Sequence, residues 1–435
     1  MKYLFVACLL CLSVLSAVAK VPAMNKIRLT NNWEYLKGDL GGIWEAVRPA
    51  APGSSEAVPI WQPVTLPHCF NAEDAVDPDV NYYEGPGWYK TLLAIDNPYR
   101  NGRIVLDFDG AGQKTDVYVY TTHVGSHVGG YDSWNVDITD AVKAFLGSKD
   151  AKRFKGKVPL SIRCDNSRDL EMIPSDLADF NIYGGLYRYL NLVYLPEVSF
   201  EQIRLESSLS SNLKEGILKV KTSFYNPEDI RKADVTVSVY DVDRKPVFSK
   251  TLEGILPLGD QLLAKMKIKN PVLWDVDVPQ LYTCELTVKT PDQTFTTEER
   301  FGFRHTEFKD KGPFFLNGKR LLLRGTHRHE DHAGVAQAMT EDMMRREMRM
   351  MKDMGVNFIR LGHYQQSEII LDLCDELGIL VWEEIPWCRG GLGGDVYKKQ
   401  ARRMLANMIV QHHNHPAVII WGSVSYTHLT LPTIL

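Results

Sequence analysis

Four apolar runs in the last third of the chain each lead into residues that can do chemistry. LLLRGTHRHE supplies Arg324, His327, Arg328, His329 and Glu330, and VNFIRLGHY supplies Arg360, His363 and Tyr364. ILVWEEIPW supplies Trp382, Glu383, Glu384 and Trp387, and AVIIWG supplies Trp421. Imidazole and guanidinium groups hydrogen-bond hydroxyls, carboxylates accept or move protons, and an indole face packs on the apolar C–H face of a pyranose. A lone histidine in such a place is more often structural, but the same enrichment at four successive run ends favours a pocket, with carbohydrate as the leading ligand class. A competing reading takes His327 and His329 as an H-x-H metal pair on one face of a strand. It needs ligands on later strands, which the sequence does not display.

Such side chains converge if the runs are parallel strands, because the C-terminal ends of strands then line one face of the fold. The intervening segments fit. TEDMMRREMRMMKDMG, QSEIILDLCDELG and YKKQARRMLANMIVQHHN read as helices; Thr340 and Ser367 are candidate N-caps, Glu341 and Glu368 fall in first turns, and Gly355 and Gly378 lie just past the ends. Strand alternating with helix implies a parallel sheet, either a barrel or a doubly wound fold. Met344, Met348 and Met351 make an i, i+4, i+7 stripe, read as core packing on that sheet.

The preceding stretches have a different grammar. From Lys26 to Pro196, short β-branched and aromatic runs such as GWYKTLLAI, RIVLDFDG and TDVYVY predict an all-β sandwich. From Glu201 to Arg304, runs such as GILKVKTSFYN, ADVTVSVYDVD and LYTCELTVKT are spaced for an immunoglobulin-like sandwich, here without a cysteine pair and read as a spacer. Fifty basic against fifty-four acidic residues leave no basic excess, so neither nucleic acid nor a membrane surface is an expected partner.

The first twenty residues place a lysine ahead of an apolar run ending Ala17-Val18-Ala19, which reads as a secretory signal peptide over 1–19. The expected location is periplasmic or secreted. Beyond it, Cys69, Cys164, Cys284, Cys374 and Cys388 are widely spaced and odd in number, which predicts buried free thiols rather than a disulfide or zinc framework.

In order along the chain, GPGWYKTLL, GGYDSWNVDITDAVK, DFNIYGGLYRYLNLVYLP, PVLWDVDVPQLYTCELTV, FGFRHTEF, FLNGKRLLLRGTHRHEDH, MKDMGVNFIRLGHYQQS, LCDELGILVWEEIPW and NHPAVIIWG resemble glycoside hydrolase family 2, the family of β-galactosidases, β-glucuronidases and β-mannosidases. The resemblance implies a jelly-roll sugar-binding domain over 26–200, an immunoglobulin-like β-sandwich over 201–305 and the N-terminal half of a (β/α)8 TIM barrel over 306–422. It also implies roles. His329 and His363 would contact hydroxyls of the terminal sugar, Arg360 would organise the acidic centre beside them, and Glu384 and Trp421 would complete the substrate pocket. Asp179 matches an aspartate lent to the site by the first domain, and Asn81 an asparagine used likewise. The magnesium stretch of the large β-galactosidases would follow the third strand, where this chain reads EEIPWCRGG, so no metal and no other cofactor is expected.

The implied reaction is retaining hydrolysis of a terminal β-glycoside, with a glutamate acid/base and a glutamate nucleophile roughly 5 Å apart. A β-galactosidase is the first expectation; β-glucuronidase or β-mannosidase specificity, or a carbohydrate-binding protein without catalysis, are the alternatives. The acid/base should follow Trp421-Gly422 in a motif W-G-x-x-N-E, but Ser425 and Tyr426 stand where Asn and Glu should be. A barrel typically needs about 250 residues, and 130 positions follow residue 305. The sequence therefore predicts a chain cut inside the barrel before both glutamates and inactive as written, with 423–435 an artefactual tail; the full-length protein is the one that would oligomerise.

Overall fold

The computed structural model describes residues 26–48, 59–175, 178–227, 231–388 and 393–423. The expected signal peptide, and Ser425, Tyr426 and the rest of the tail from residue 424, lie outside the described residues.

Alternation of apolar and polar residues builds the first unit. In Lys114–Val119 every second side chain is buried, Val117 and Val119 being at 0% and 1% exposure, as period-two patterning requires. Six antiparallel strands pair in the order Gln62–Val64, Trp33–Lys37, Pro86–Leu93, Val158–Asp165, Lys114–Val119 and Thr122–Val128. A second sheet of Lys26–Arg28, Leu190–Leu195, Arg103–Phe108 and Trp134–Asp137 faces it across a core that includes Trp33, Tyr89, Leu106 and Ile162. The unit departs from all-β: beside the single helical turns Trp44–Val47 and Lys149–Lys152, Thr139–Leu146 is a helix. Asp137 Oδ1 accepts from Thr139 N at 2.9 Å, satisfying a donor of the first turn, and Val142 and Phe145, one turn apart, bury its inner face.

The second unit has three strands on one side (Ser199–Leu209, Glu215–Tyr225, Gly259–Lys269) and four on the other (Pro246–Ile255, Ala233–Tyr240, Tyr282–Lys289, Thr294–Phe301). Seven strands in two sheets are the immunoglobulin-like arrangement. Its core is carried by Val, Leu and Phe side chains with no disulfide; all five described cysteines are free and buried.

A small antiparallel sheet, Thr306–Phe308, Phe314–Leu316 and Lys319–Leu321, leads into the third unit. There Gly325–Arg328, Phe358–Leu361, Leu380–Glu384 and Val418–Gly422 pair in parallel and in chain order. Helices Glu341–Asp353, Glu368–Leu377 and Asp395–His412 connect them, which makes the unit a partial TIM barrel. The caps form as the sequence predicts: Thr340 Oγ1 accepts from Met343 N and Ser367 Oγ from Ile369 N. Gly378 ends its helix at φ +68°, and a Cβ there would stand 2.4 Å from Val276 O, so both the backbone and the close approach require glycine. Met344 and Met348 are buried in the core below the sheet.

The first and third units are locked together. Arg188, 2% exposed, donates from Nε and Nη2 to Glu330 Oε2 at 3.0 and 2.7 Å, and Glu330 is itself fully buried. Tyr183 donates to Asp331 Oδ2 at 2.8 Å. Glu171 accepts from Gly394 N and Tyr397 N, placing a carboxylate on the positive end of the last helix.

Candidate active site

Along the first barrel strand, His327 and His329 point to one side and Arg328 and Glu330 to the other, as strand alternation demands. The inward pair meets His363, which follows the second strand. The three rings form a triangle with centroids 5.0, 5.2 and 5.3 Å apart. His363 thus joins the first strand's H-x-H pair in space.

Beside the triangle, Glu384 at the end of the third strand is fully buried. Arg360 holds it with two hydrogen bonds, Nε to Oε2 at 3.2 Å and Nη2 to Oε1 at 2.8 Å. His363 Nδ1 lies 3.2 Å from Glu384 Oε1, so an arginine and a histidine converge on the one carboxylate. Two glycines make the room: a Cβ on Gly362 would meet His327 Cε1 at 2.6 Å, and one on Gly422 would meet Glu384 Cβ at 2.8 Å.

The first domain supplies the other wall. Phe180 stacks on His363 at 5.8 Å and 12° and lies 5.7 Å from His329. Its neighbour Asp179 accepts a hydrogen bond from the Cys388 thiol at 2.7 Å, and ligating atoms of Asp179, Cys388 and His363 lie within 4.8 Å of one another. Tyr364, whose hydroxyl is 3.3 Å from His329 Nδ1, stacks on Tyr131 of the sandwich at 4.2 Å.

Burial, and then the neighbouring His327 and His363, push the His329 pKa down to about 4. Burial, followed by Arg360 and His363, lowers that of His327. Both rings are consequently neutral near pH 7 and able to donate or accept a hydrogen bond from a hydroxyl.

Of the predicted substrate residues, Asp179, His329, Arg360, His363 and Glu384 come together in this pocket. Trp421 stands beside it: paired with Glu383 across the strands, it packs against the buried group that includes Trp387 and Met404. Asn81 is exposed and does not join the cluster; its neighbour Tyr82 donates to Ile182 O of the same sandwich at 2.8 Å. Sequence reasoning missed Phe180, hidden inside a motif read for its aspartate, and Arg188. The available signal for Arg188 was a charge inside the otherwise uncharged run GGLYRYLNLVYL.

Comparison with known proteins follows the same division of the chain. The sugar binding domain of glycosyl hydrolases family 2 matches residues 40–196, the family's general domain model matches 198–304, and its TIM barrel domain matches 307–426. A beta-glucuronidase of Bacteroides fragilis is 32% identical over 378 residues, covering 82% of this chain and 52% of the relative. A beta-galactosidase of Thermoanaerobacterium thermosulfurigenes is 30% identical over 401 residues, 91% of this chain and 53% of the relative. Among solved structures, the Parabacteroides merdae beta-glucuronidase with glycerol in its active site superposes with a TM-score of 0.92 at 98% identity, over 94% of this chain and 52% of that one. Bacteroides uniformis beta-glucuronidase 3 gives 0.89 at 58% identity, over 93% and 51%. The chain spans about half the length of these relatives. Since all three of the family's domain models match in order on a jelly-roll sandwich, an immunoglobulin-like sandwich and parallel barrel strands, the chain belongs to glycosyl hydrolases family 2.

Proposed function

We propose that this chain is part of an exported β-glucuronidase that releases terminal β-linked glucuronate with retention of configuration. The observation that carries the reading is the likeness, at 98% identity over 94% of this chain, to the Parabacteroides merdae beta-glucuronidase. It replaces galactose, the first expectation from sequence, with glucuronate. The Bacteroides fragilis relative and the Bacteroides uniformis structure carry the same name, whereas the named beta-galactosidase is more distant at 30% identity.

The pocket chemistry is compatible with a pyranose. The neutral His329 and its neighbour His363 would bond ring hydroxyls, Asp179 would accept from another, and Phe180 would offer an aromatic face. Arg360 is already neutralised by Glu384, so the glucuronate carboxylate would be read by other cations. In the proposed mechanism one glutamate protonates the leaving oxygen and a second attacks the anomeric carbon. The acid/base would come from the W-G-x-x-N-E motif, and Ser425 and Tyr426 stand at the Asn and Glu positions of that motif. A serine hydroxyl or a phenol with a pKa near 10 cannot cycle between acid and base near neutrality. The chain as written is accordingly proposed to be inactive, and the full-length protein active.

Assay of both proteins on aryl β-glucuronide, β-galactoside and β-mannoside tests this. Turnover of the glucuronide by the full-length protein alone is expected. Preference for the galactoside, or turnover by the chain as written, would overturn the corresponding half. Export is tested by N-terminal sequencing of the mature protein, expected to begin after Ala19.

A further inference from the structure

We propose that His327, His329 and His363, with Asp179 as fourth donor, form a binding site for a divalent transition cation of the zinc class, and that its occupation closes the pocket to the glycoside. A nitrogen from each of the three histidines lies within 4.8 Å of the other two. Small ring rotations bring such a set to the nitrogen distances of a tetrahedral centre.

The surroundings orient the rings for it. His329 turns Nδ1 to the Tyr364 hydroxyl at 3.3 Å, and His363 turns Nδ1 to Glu384 Oε1 at 3.2 Å. Both therefore present Nε2 to the centre. An imidazole whose second nitrogen is held by a carboxylate or hydroxyl is the arrangement that metal-bound histidines use. Arg360 Nη2 lies 3.2 Å from the same His363 nitrogen, and its charge is balanced by Glu384. His327 brings its Cε1–Nε2 edge against Gly362, next to His363.

Asp179 supplies the oxygen. One of its ligating atoms falls within 4.8 Å of those of His363 and Cys388, and the Cys388 thiol donates to Oδ1. Three imidazoles and one carboxylate suit zinc better than magnesium or calcium, which take oxygen donors. The cation would stand where the sugar hydroxyls are read, so cation and glycoside compete. That inhibitory half rests on the reading of the pocket as a sugar site; binding itself does not.

Calorimetric titration of the full-length protein with zinc chloride at pH 7.5 should show one saturable site. X-ray absorption of the zinc-loaded protein should show nitrogen neighbours at about 2.0 Å. His327→Gln and Asp179→Asn should each weaken binding at least tenfold, while the control His305→Gln, on an exposed residue of the small antiparallel sheet's approach, should not change it. No saturable uptake, an all-oxygen shell, or undiminished affinity in H327Q would overturn the site. With aryl glucuronide, zinc should raise KM and leave kcat unchanged; an unaltered KM at saturating zinc would overturn the competition. Should the protein hydrolyse no glucuronide, the proposed function fails while the calorimetry still decides the metal site.

Discussion

Replacing Arg188 by methionine tests whether the barrel and the first sandwich are held by one buried charge pair. The guanidinium donates to Glu330 Oε2 twice, to Asp109 O at 3.2 Å, to Tyr131 O at 2.8 Å and to Gln365 O at 2.7 Å. Methionine fills much of the volume but leaves Glu330 fully buried with the Ser367 amide at 2.7 Å and the more distant Arg328 Nη1 at 4.0 Å as remaining partners. Breaking a buried pair on one side costs about 3–5 kcal/mol. The three carbonyls left behind add to this less than their separate values, because they share one donor. A loss of about 4 kcal/mol is the expectation. Removing both charges, in Arg188→Met with Glu330→Leu, should recover at least about half of it, since an apolar pair carries no uncompensated charge. The assay is urea unfolding of the full-length protein followed by tryptophan fluorescence, reading the first transition, because a multidomain chain does not unfold in one step. A cost below about 1 kcal/mol for R188M, against the expected buried-pair penalty, or a double variant less stable than R188M, would refute the reasoning.

Asp179→Ala in the full-length protein should lower kcat/KM for a glucuronide at least about tenfold, the loss of one charged hydrogen bond of about 1.5–3 kcal/mol, with unfolding unchanged; equal activity would remove Asp179 from the site. Gly362→Ala should also impair turnover, since its Cβ would displace His327 or Glu384, and wild-type kinetics would show the pocket to be softer than drawn. Arg304 bonds the carbonyls of Pro416 and Val418 at the start of the fourth strand, so Arg304→Met should destabilise by about 2 kcal/mol or more, measured by the same urea titration. His68 and His329 both have pKa values pushed down to about 4 by burial, from 6.5. The unfolded chain therefore takes up protons first, and their contribution is full above pH 6.5 and lost as pH falls toward 4. Asp109, pushed up to about 7 by burial, works in the opposite sense. The variant His68→Gln/His329→Gln should thus lose less stability than wild type between pH 6.5 and 4, and an identical loss would contradict the shifts.

Local chemistry was the legible part of the sequence. Thr340, Ser367 and Gly378 act on their own helix ends, and Val117 and Val119 on their own strand, so spacing suffices to read them. The histidines and Glu384 were legible because parallel strands bring run ends to one face whatever the details. The small helix Thr139–Leu146 was lost among strand-like neighbours, being too short for its period to stand out. Phe180 and Arg188 escaped for a different reason: they act on His363 and Glu330, far along the chain, and no local pattern encodes a partner 142 residues away. Trp421 and Asn81 show the limit of local pattern from the other side: it gave their neighbourhood, while their place beside the cluster depends on how the chain packs.

Tyr183 of the sandwich reaches Asp331 of the barrel across 148 residues, and Phe180 in the same stretch lies over the barrel's His329 and His363 as a roof over a floor. Roof and floor are thus separately heritable. A lineage can exchange the sandwich segment while leaving the strand-end histidines untouched, provided the arginine and glutamate at the seam are retained. Recombination near the seam would then vary the roof without disturbing the floor.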